Sequence, residues 1–323
     1  MSEELKESIG ELLLAENIDG EITEIIPLTG GASAETYKFK VKQDWFVLRK
    51  GSGNTSPLAI LKKDEAFIQN EVFNQGAPVA EIVAVSNGNS KLTDAYIMKL
   101  VEGESIARKV LRDEKFSQAR KVLAYECGQA LAKIHSVSLD SLTKVPKNDP
   151  YESLENLYLT YQQFKQPLPV FEYTFRWLKE QKFQEIEPTL VHGDFRLGNL
   201  IVNEEGLAAV IDWELVNIGN PIQDIGWMCV NSWRFGITEK IVGGFGDLED
   251  LLQGYSSVSN LIIDEQEVKK WQVFGSLRWG VICLIQTYSH LNGSTNSVER
   301  AAIGRRVSET EIDMINLMFL GGK

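Results

Sequence analysis

Two short stretches, Val191-His192-Gly193-Asp194-Phe195-Arg196-Leu197-Gly198-Asn199 and Ala209-Val210-Ile211-Asp212-Trp213-Glu214, decide the reading of this chain. Each is a polar island among apolar, strand-forming residues. Short strands are expected at 189–191, 200–202 and 208–212, so the islands fall at strand ends. Carboxylates and a carboxamide presented in this way suit a divalent cation on a nucleotide and the positioning of a hydroxyl.

Working outward, the segment before residue 100 is β-rich. Leu5, Ile9, Leu12 and Leu13 recur at helical spacing over 3–16. Strands are expected at Ile22–Pro27, Thr36–Val41, Trp45–Arg49, Ile82–Val85 and Ala95–Leu100, with a helix at Ala59–Asn74. Beyond Glu102-Gly103-Glu104 the pattern turns helical, over 117–137, over 171–183 and from the second island to the C-terminus. The stretch 141–170 is polar with several prolines and reads as irregular. The expected fold is α+β and two-lobed: a small β-rich lobe over 1–101 and a larger, mostly helical lobe over 102–323.

Bulk properties narrow the partners. The 323 residues carry 33 basic and 45 acidic side chains, a net charge of −12. That balance argues against nucleic acid as the main partner. Cys127, Cys229 and Cys283 are far apart and form no C-x-x-C pair, as expected in a reducing, cytoplasmic setting. The apolar run Trp279–Ile285 falls short of the roughly 20 residues that span a bilayer, so no membrane partner is expected. Oligomeric state is not legible.

The spacing His192-x-Asp194-x-x-x-x-Asn199 matches H-R-D-x-x-x-x-N, a catalytic loop for phosphoryl transfer. That chemistry asks for an aligned hydroxyl and neutralised phosphate charge. Asp194 is the candidate to accept the hydroxyl's hydrogen bond. Asn199 and Asp212 are the candidate Mg²⁺ ligands, being hard oxygen donors. His192 is expected to brace the loop. The turn holding Gly30, Gly31 and Ser33 can bring backbone N–H groups to phosphates, although such turns are also plain hairpins. Arg49 ends the third strand where a phosphate-binding cation is expected, and Lys50, on the opposite face, is the other candidate, so which of the two meets the phosphates is open at this point. Glu65 is the natural ion-pair partner of that cation and Glu71 the runner-up. Asp224 is expected to cap a helix, and His135 to be a packed core histidine. Trp233, Arg234 and Glu214 are candidates for substrate contact.

These motifs, together with Tyr96-Ile97-Met98-Lys99-Leu100-Val101-Glu102-Gly103 and Leu131-Ala132-Lys133-Ile134-His135, resemble the aminoglycoside phosphotransferase family of the protein-kinase-like group. The resemblance implies a kinase-like fold with ATP or GTP and Mg²⁺ in the cleft, Asp194 as catalytic base, and Met98, Lys99 and Leu100 in a hinge against the nucleotide base. Phe195-Arg196-Leu197-Gly198-Asn199, Gly219-Asn220-Pro221 and Trp233-Arg234-Phe235-Gly236 look like the kinase domains fused to acyl-CoA dehydrogenases. That likeness implies phosphorylation of hydroxyacyl-CoA thioesters. Three alternatives stand beside it: an amino-sugar acceptor, for which Glu309, Glu311 and Asp313 are candidates, a non-catalytic nucleotide-binding protein, and a metal-dependent hydrolase. A CoA acceptor calls for basic residues beside the cleft, with Arg234, Arg278, Arg305 and Arg306 as candidates.

Overall fold

The computed structural model describes residues 3–28, 34–51, 60–87 and 91–321. The chain opens with helix α1 (Glu3–Ala15), followed by strands β1 (Ile22–Leu28), β2 (Ala34–Val41) and β3 (Asp44–Gly51). Helix α2 (Lys62–Asn74) and strands β4 (Ile82–Val85) and β5 (Ala95–Lys99) complete the first lobe. The five strands form one antiparallel sheet in the order β1-β2-β3-β5-β4. Alternation along β3 divides its side chains between two cores. Phe46 and Leu48 face Ile9, Leu12 and Leu13 of α1, and Phe46 stacks on Phe39 at 5.7 Å between ring centroids. Val47 faces the opposite way, with Tyr96, Met98 and Ala66 of α2. Arg49, two residues on from Val47, shares this second face, and that register aims it at α2.

The second lobe contains α3 (Ala107–Arg112), α4 (Ser117–His135), β6 (Lys147–Asn148), α5 (Pro150–Gln162) and α6 (Pro169–Glu180). Strands β7 (Thr189–Val191), β8 (Leu200–Val202), β9 (Leu207–Val210) and β10 (Asn217–Gly219) follow. Helices α7 (Ile222–Met228), α8 (Leu248–Ser256), α9 (Glu265–Leu291), α10 (Val298–Ile303) and α11 (Val307–Phe319) close the chain. The architecture is thus a β-rich lobe and a helical lobe. The segment after β5 ties them together: the Glu104 N–H donates to the Val202 carbonyl at 2.9 Å, and the reverse bond is 3.0 Å. The link therefore lands on β8, directly behind the first polar island.

The expectation of irregular chain over 141–170 is corrected by α5. Asp149 and Pro150 initiate a helix: the Asp149 carboxylate accepts the N–H groups of Tyr151 and Glu152 at 2.9 and 3.1 Å, and Pro150 occupies the first turn. Proline suits that position because its missing N–H would have no partner there. The expected strand 208–212 ends at Val210, because Asp212 has a φ of 73° and leaves extended geometry. Among the described residues no helix is long and apolar enough to cross a membrane. The three cysteines are buried free thiols.

Helices α4 and α8 cross at glycines. A Cβ on Gly254 would lie 1.9 Å from the Tyr125 carbonyl oxygen, and one on Gly128 would lie 2.0 Å from that of Leu251. Both obstacles are backbone, so the helices would have to part. Gly254→Ala is therefore expected to cost about 3 kcal/mol, the upper part of the usual overpacking range. In contrast, a Cβ at Gly10 in α1 meets only the Ile22 side chain at 3.8 Å. Gly10→Ala should stabilise by roughly 0.5–1 kcal/mol, as alanine does inside a helix. Denaturant unfolding of the two variants should move in opposite directions.

Candidate active site

The first island forms the loop between β7 and β8. Gly193 turns it at a φ of 81°, and a Cβ there would lie 2.2 Å from the Leu215 carbonyl oxygen. Asp194 emerges from this turn into a cage of donors. Its Oδ1 accepts the Trp227 indole N–H at 2.7 Å and the Arg196 Nε–H at 3.1 Å, and its Oδ2 accepts the Asn199 amide at 2.6 Å. The same Asn199 amide reaches the Asp194 carbonyl oxygen at 2.9 Å. Donors on three sides leave the carboxylate one orientation, which a base needs in order to align a hydroxyl.

His192 braces the loop. Its Nδ1 accepts the Asp194 N–H at 3.2 Å, so Nε2 carries the proton and donates to the Ile211 carbonyl at 3.1 Å. The Ile211 N–H in turn reaches the Asn199 carbonyl at 2.9 Å. Both islands are therefore stitched to each other immediately before Asp212. Fully buried Asp224 holds the loop from below, accepting the N–H groups of His192 at 2.8 Å and Gly193 at 2.9 Å. His135 stands between Asp224, 3.2 Å from its Nε2, and the Tyr255 hydroxyl, 3.0 Å from its Nδ1. Asp224 thus makes no N-cap as the sequence suggested: it lies inside the first turn of α7 and spends its carboxylate on the β7–β8 loop. His135 is the expected buried histidine, with a polar task as well.

Asp212 faces the sheet of the first lobe. Arg49 reaches across with NH2 3.0 Å from Asp212 Oδ1, and its Nε lies 3.3 Å from Glu65 Oε1. Glu65 is fully buried and also accepts the Tyr96 hydroxyl at 2.7 Å. Burial works to raise the Asp212 pKa, but Arg49, by its charge and its hydrogen bond, outweighs it and holds the group below its ordinary value. Lys50 turns away to Glu35 at 3.5 Å, and Glu71 receives the Ser141 hydroxyl instead of Arg49. Residues 98–100 divide similarly: Met98 is buried, Lys99 points outward to Glu81 at 2.6 Å, and the Leu100 N–H donates to the Trp45 carbonyl at 3.0 Å.

The donor set fits a magnesium ion. Asn199 commits its amide nitrogen to Asp194, which leaves the carboxamide oxygen for a cation, and Asp212 commits Oδ1 to Arg49, which leaves Oδ2. Two hard oxygen donors suit Mg²⁺, whose other positions are filled by water and phosphate oxygens.

On the far side of Asp194 the tryptophans converge. Trp233 lies 5.1 Å from Trp227 and 4.8 Å from Trp279 between ring centroids. The Arg196 guanidinium sits 4.9 Å over Trp233, and that of Arg278 sits 4.8 Å over Trp227 while donating to the Gly193 carbonyl at 3.2 Å. Arg234 does not join this wall. It is buried and donates to the carbonyls of Thr238 and Cys229, each at 2.9 Å. Glu214 is half-buried on the 3-10 turn after Asp212. On α11, Asp313 receives the Asn231 amide at 2.9 Å and Glu309 lies 3.6 Å from Arg306. Gly30, Gly31 and Ser33 lie outside the described residues. Sequence reasoning assigned Arg196 and Trp227 no role at Asp194. Arg196 had one signal, its place two residues from the carboxylate, whereas Trp227, 33 residues on, had none.

The phosphotransferase enzyme family model, APH, matches residues 24–261. The chain belongs to that family. As a member it is an O-phosphotransferase with the two-lobed, kinase-like fold. It is similar to acyl-CoA dehydrogenase family member 10 of Mus musculus, 30% identical over 244 residues, 73% of this chain and 23% of the relative. The chain thus spans about a quarter of that relative's length. Its fold is similar to that of a candidate aminoglycoside phosphotransferase from Ralstonia eutropha JMP134, with a TM-score of 0.76 at 20% identity over 96% of both chains. The streptomycin–ATP–APH(2″)-IIa ternary complex shares it at a TM-score of 0.61 and 18% identity over 98% of both chains.

Proposed function

We propose that this phosphotransferase moves the γ-phosphoryl group of ATP to a hydroxyl group of a small molecule, with Asp194 orienting and deprotonating the acceptor. The observation that carries the reading is the stitching of the two islands: His192 and Asn199 bind both sides of Ile211, so Asp194 and Asp212 are held as one unit. Asn199 and Asp212 would hold Mg²⁺, which neutralises phosphate charge when bound. Arg49 would turn from Asp212 to the phosphates. ATP in the APH(2″)-IIa complex supports the choice of nucleotide.

The acceptor is a hydroxyacyl-CoA. Arg196 and Arg278 beside Asp194, backed by three tryptophans, favour an anionic acceptor over a polycationic one. The likeness to an acyl-CoA dehydrogenase family member supports the acyl-CoA class. An amino sugar is the second reading, favoured by streptomycin in the APH(2″)-IIa complex.

The test is ATP consumption by the purified chain across hydroxyacyl-CoAs, amino sugars and amino alcohols. Turnover confined to hydroxyacyl-CoAs is the expected result. Turnover confined to amino sugars would replace the acceptor. Nucleotide binding with no turnover on any class would leave a non-catalytic nucleotide-binding protein.

A further inference from the structure

Lys62 is a buried charged side chain beside the Arg49–Glu65 pair. It opens α2, and its backbone N–H is taken by the Asp94 carboxylate at 2.8 Å. The side chain turns inward, is only 2% exposed, and its Nζ pairs with Glu65 Oε2. Lysine is almost never buried this deeply without a partner. Glu65 Oε1 already meets the Tyr96 hydroxyl and Arg49. Two cations therefore share one buried carboxylate, where a kinase pairs one strand lysine with one helix glutamate. Arg49 carries the cluster on to Asp212, 3.0 Å from its NH2.

Counting charges shows what the second cation does. Arg49 and Lys62 balance Glu65 and Asp212. Without Lys62 the cluster would carry a net negative charge and face the phosphates with it. Arg49 would also be held by an otherwise uncompensated Glu65, in competition with any phosphate. The geometry points to Lys62 as a positioning residue of the nucleotide site: it neutralises Glu65 so that the Arg49 charge is available to the phosphates. It touches neither nucleotide nor acceptor.

The inference rests on the proposal that this site binds MgATP, and calorimetric titration of the folded chain separates the two. If the wild-type chain binds no MgATP, the functional reading fails. If it binds, Lys62→Gln should weaken the Kd by about tenfold, the effect of losing one nearby charge. Lys62→Gln combined with Glu65→Gln should return it to within about threefold of wild type, because the charge balance is restored. Lys62→Arg should bind like wild type. Wild-type affinity in Lys62→Gln, or a double variant as weak as Lys62→Gln alone, would overturn the proposal. If Lys62→Gln does not fold, the comparison rests on Lys62→Arg and the double variant. A tenfold loss in either then overturns it, and retained affinity in both supports it.

Discussion

Asp194→Asn should lose roughly 10²- to 10⁴-fold in kcat, the range that a positioned general base contributes. Its affinity for MgATP should stay within about threefold of wild type, because Asp194 acts on the acceptor and not on the nucleotide. The geometry sharpens the expectation. Trp227, Arg196 and Asn199 all donate to this carboxylate. An asparagine amide would turn a donor toward at least one of them, so the group loses its orientation as well as its basicity. Measured kcat together with nucleotide titration tests this. Unchanged turnover would remove Asp194 from the reaction, and loss of both turnover and nucleotide binding would show that the variant had lost the site as a whole.

Asp224→Ala is expected to produce the largest loss of stability, about 3–5 kcal/mol, as when one partner of a buried charged network is removed. It would strand the N–H groups of His192 and Gly193 in the interior, and His135 would lose the partner of its Nε2. Each orphaned buried donor carries its own desolvation cost. Denaturant unfolding should show the shift. Residual activity at low temperature should fall too, because the same two amides set the path of the chain into Asp194. Wild-type stability in Asp224→Ala would mean that the β7–β8 loop holds its shape without this clamp.

The particular residues show why some of the site was legible and some was not. His192, Asp194 and Asn199 are close in sequence, and their spacing reflects a local loop, so periodicity and residue type were enough to suggest their roles. Strand alternation separated Arg49 from Lys50, but only the packing of the sheet on α2 showed that Arg49 is the one facing Glu65 and Asp212. Asp224 was assigned to a local cap, since from sequence a carboxylate near a helix start has only local donors in view. Its actual partners, His192 and Gly193, lie about thirty residues earlier, on a loop that only the β7–β10 pairing brings beneath α7. Lys62 gave no signal, because a lysine opening a helix normally faces solvent. Its inward turn depends on Glu65 and Tyr96 being buried together.

What the sequence by itself determined is therefore the two-lobed α+β plan and the make-up and spacing of the two polar islands, which are set by near neighbours. Only the tertiary structure decided what surrounds them. It placed Arg196, Arg278 and the tryptophans around Asp194, turned Arg234 inward to backbone carbonyls, and set two cations on Glu65. Such choices depend on which distant segments share a buried, low-dielectric space. There an unpaired charge is costly, and partners are selected by proximity in the fold and not by order along the chain.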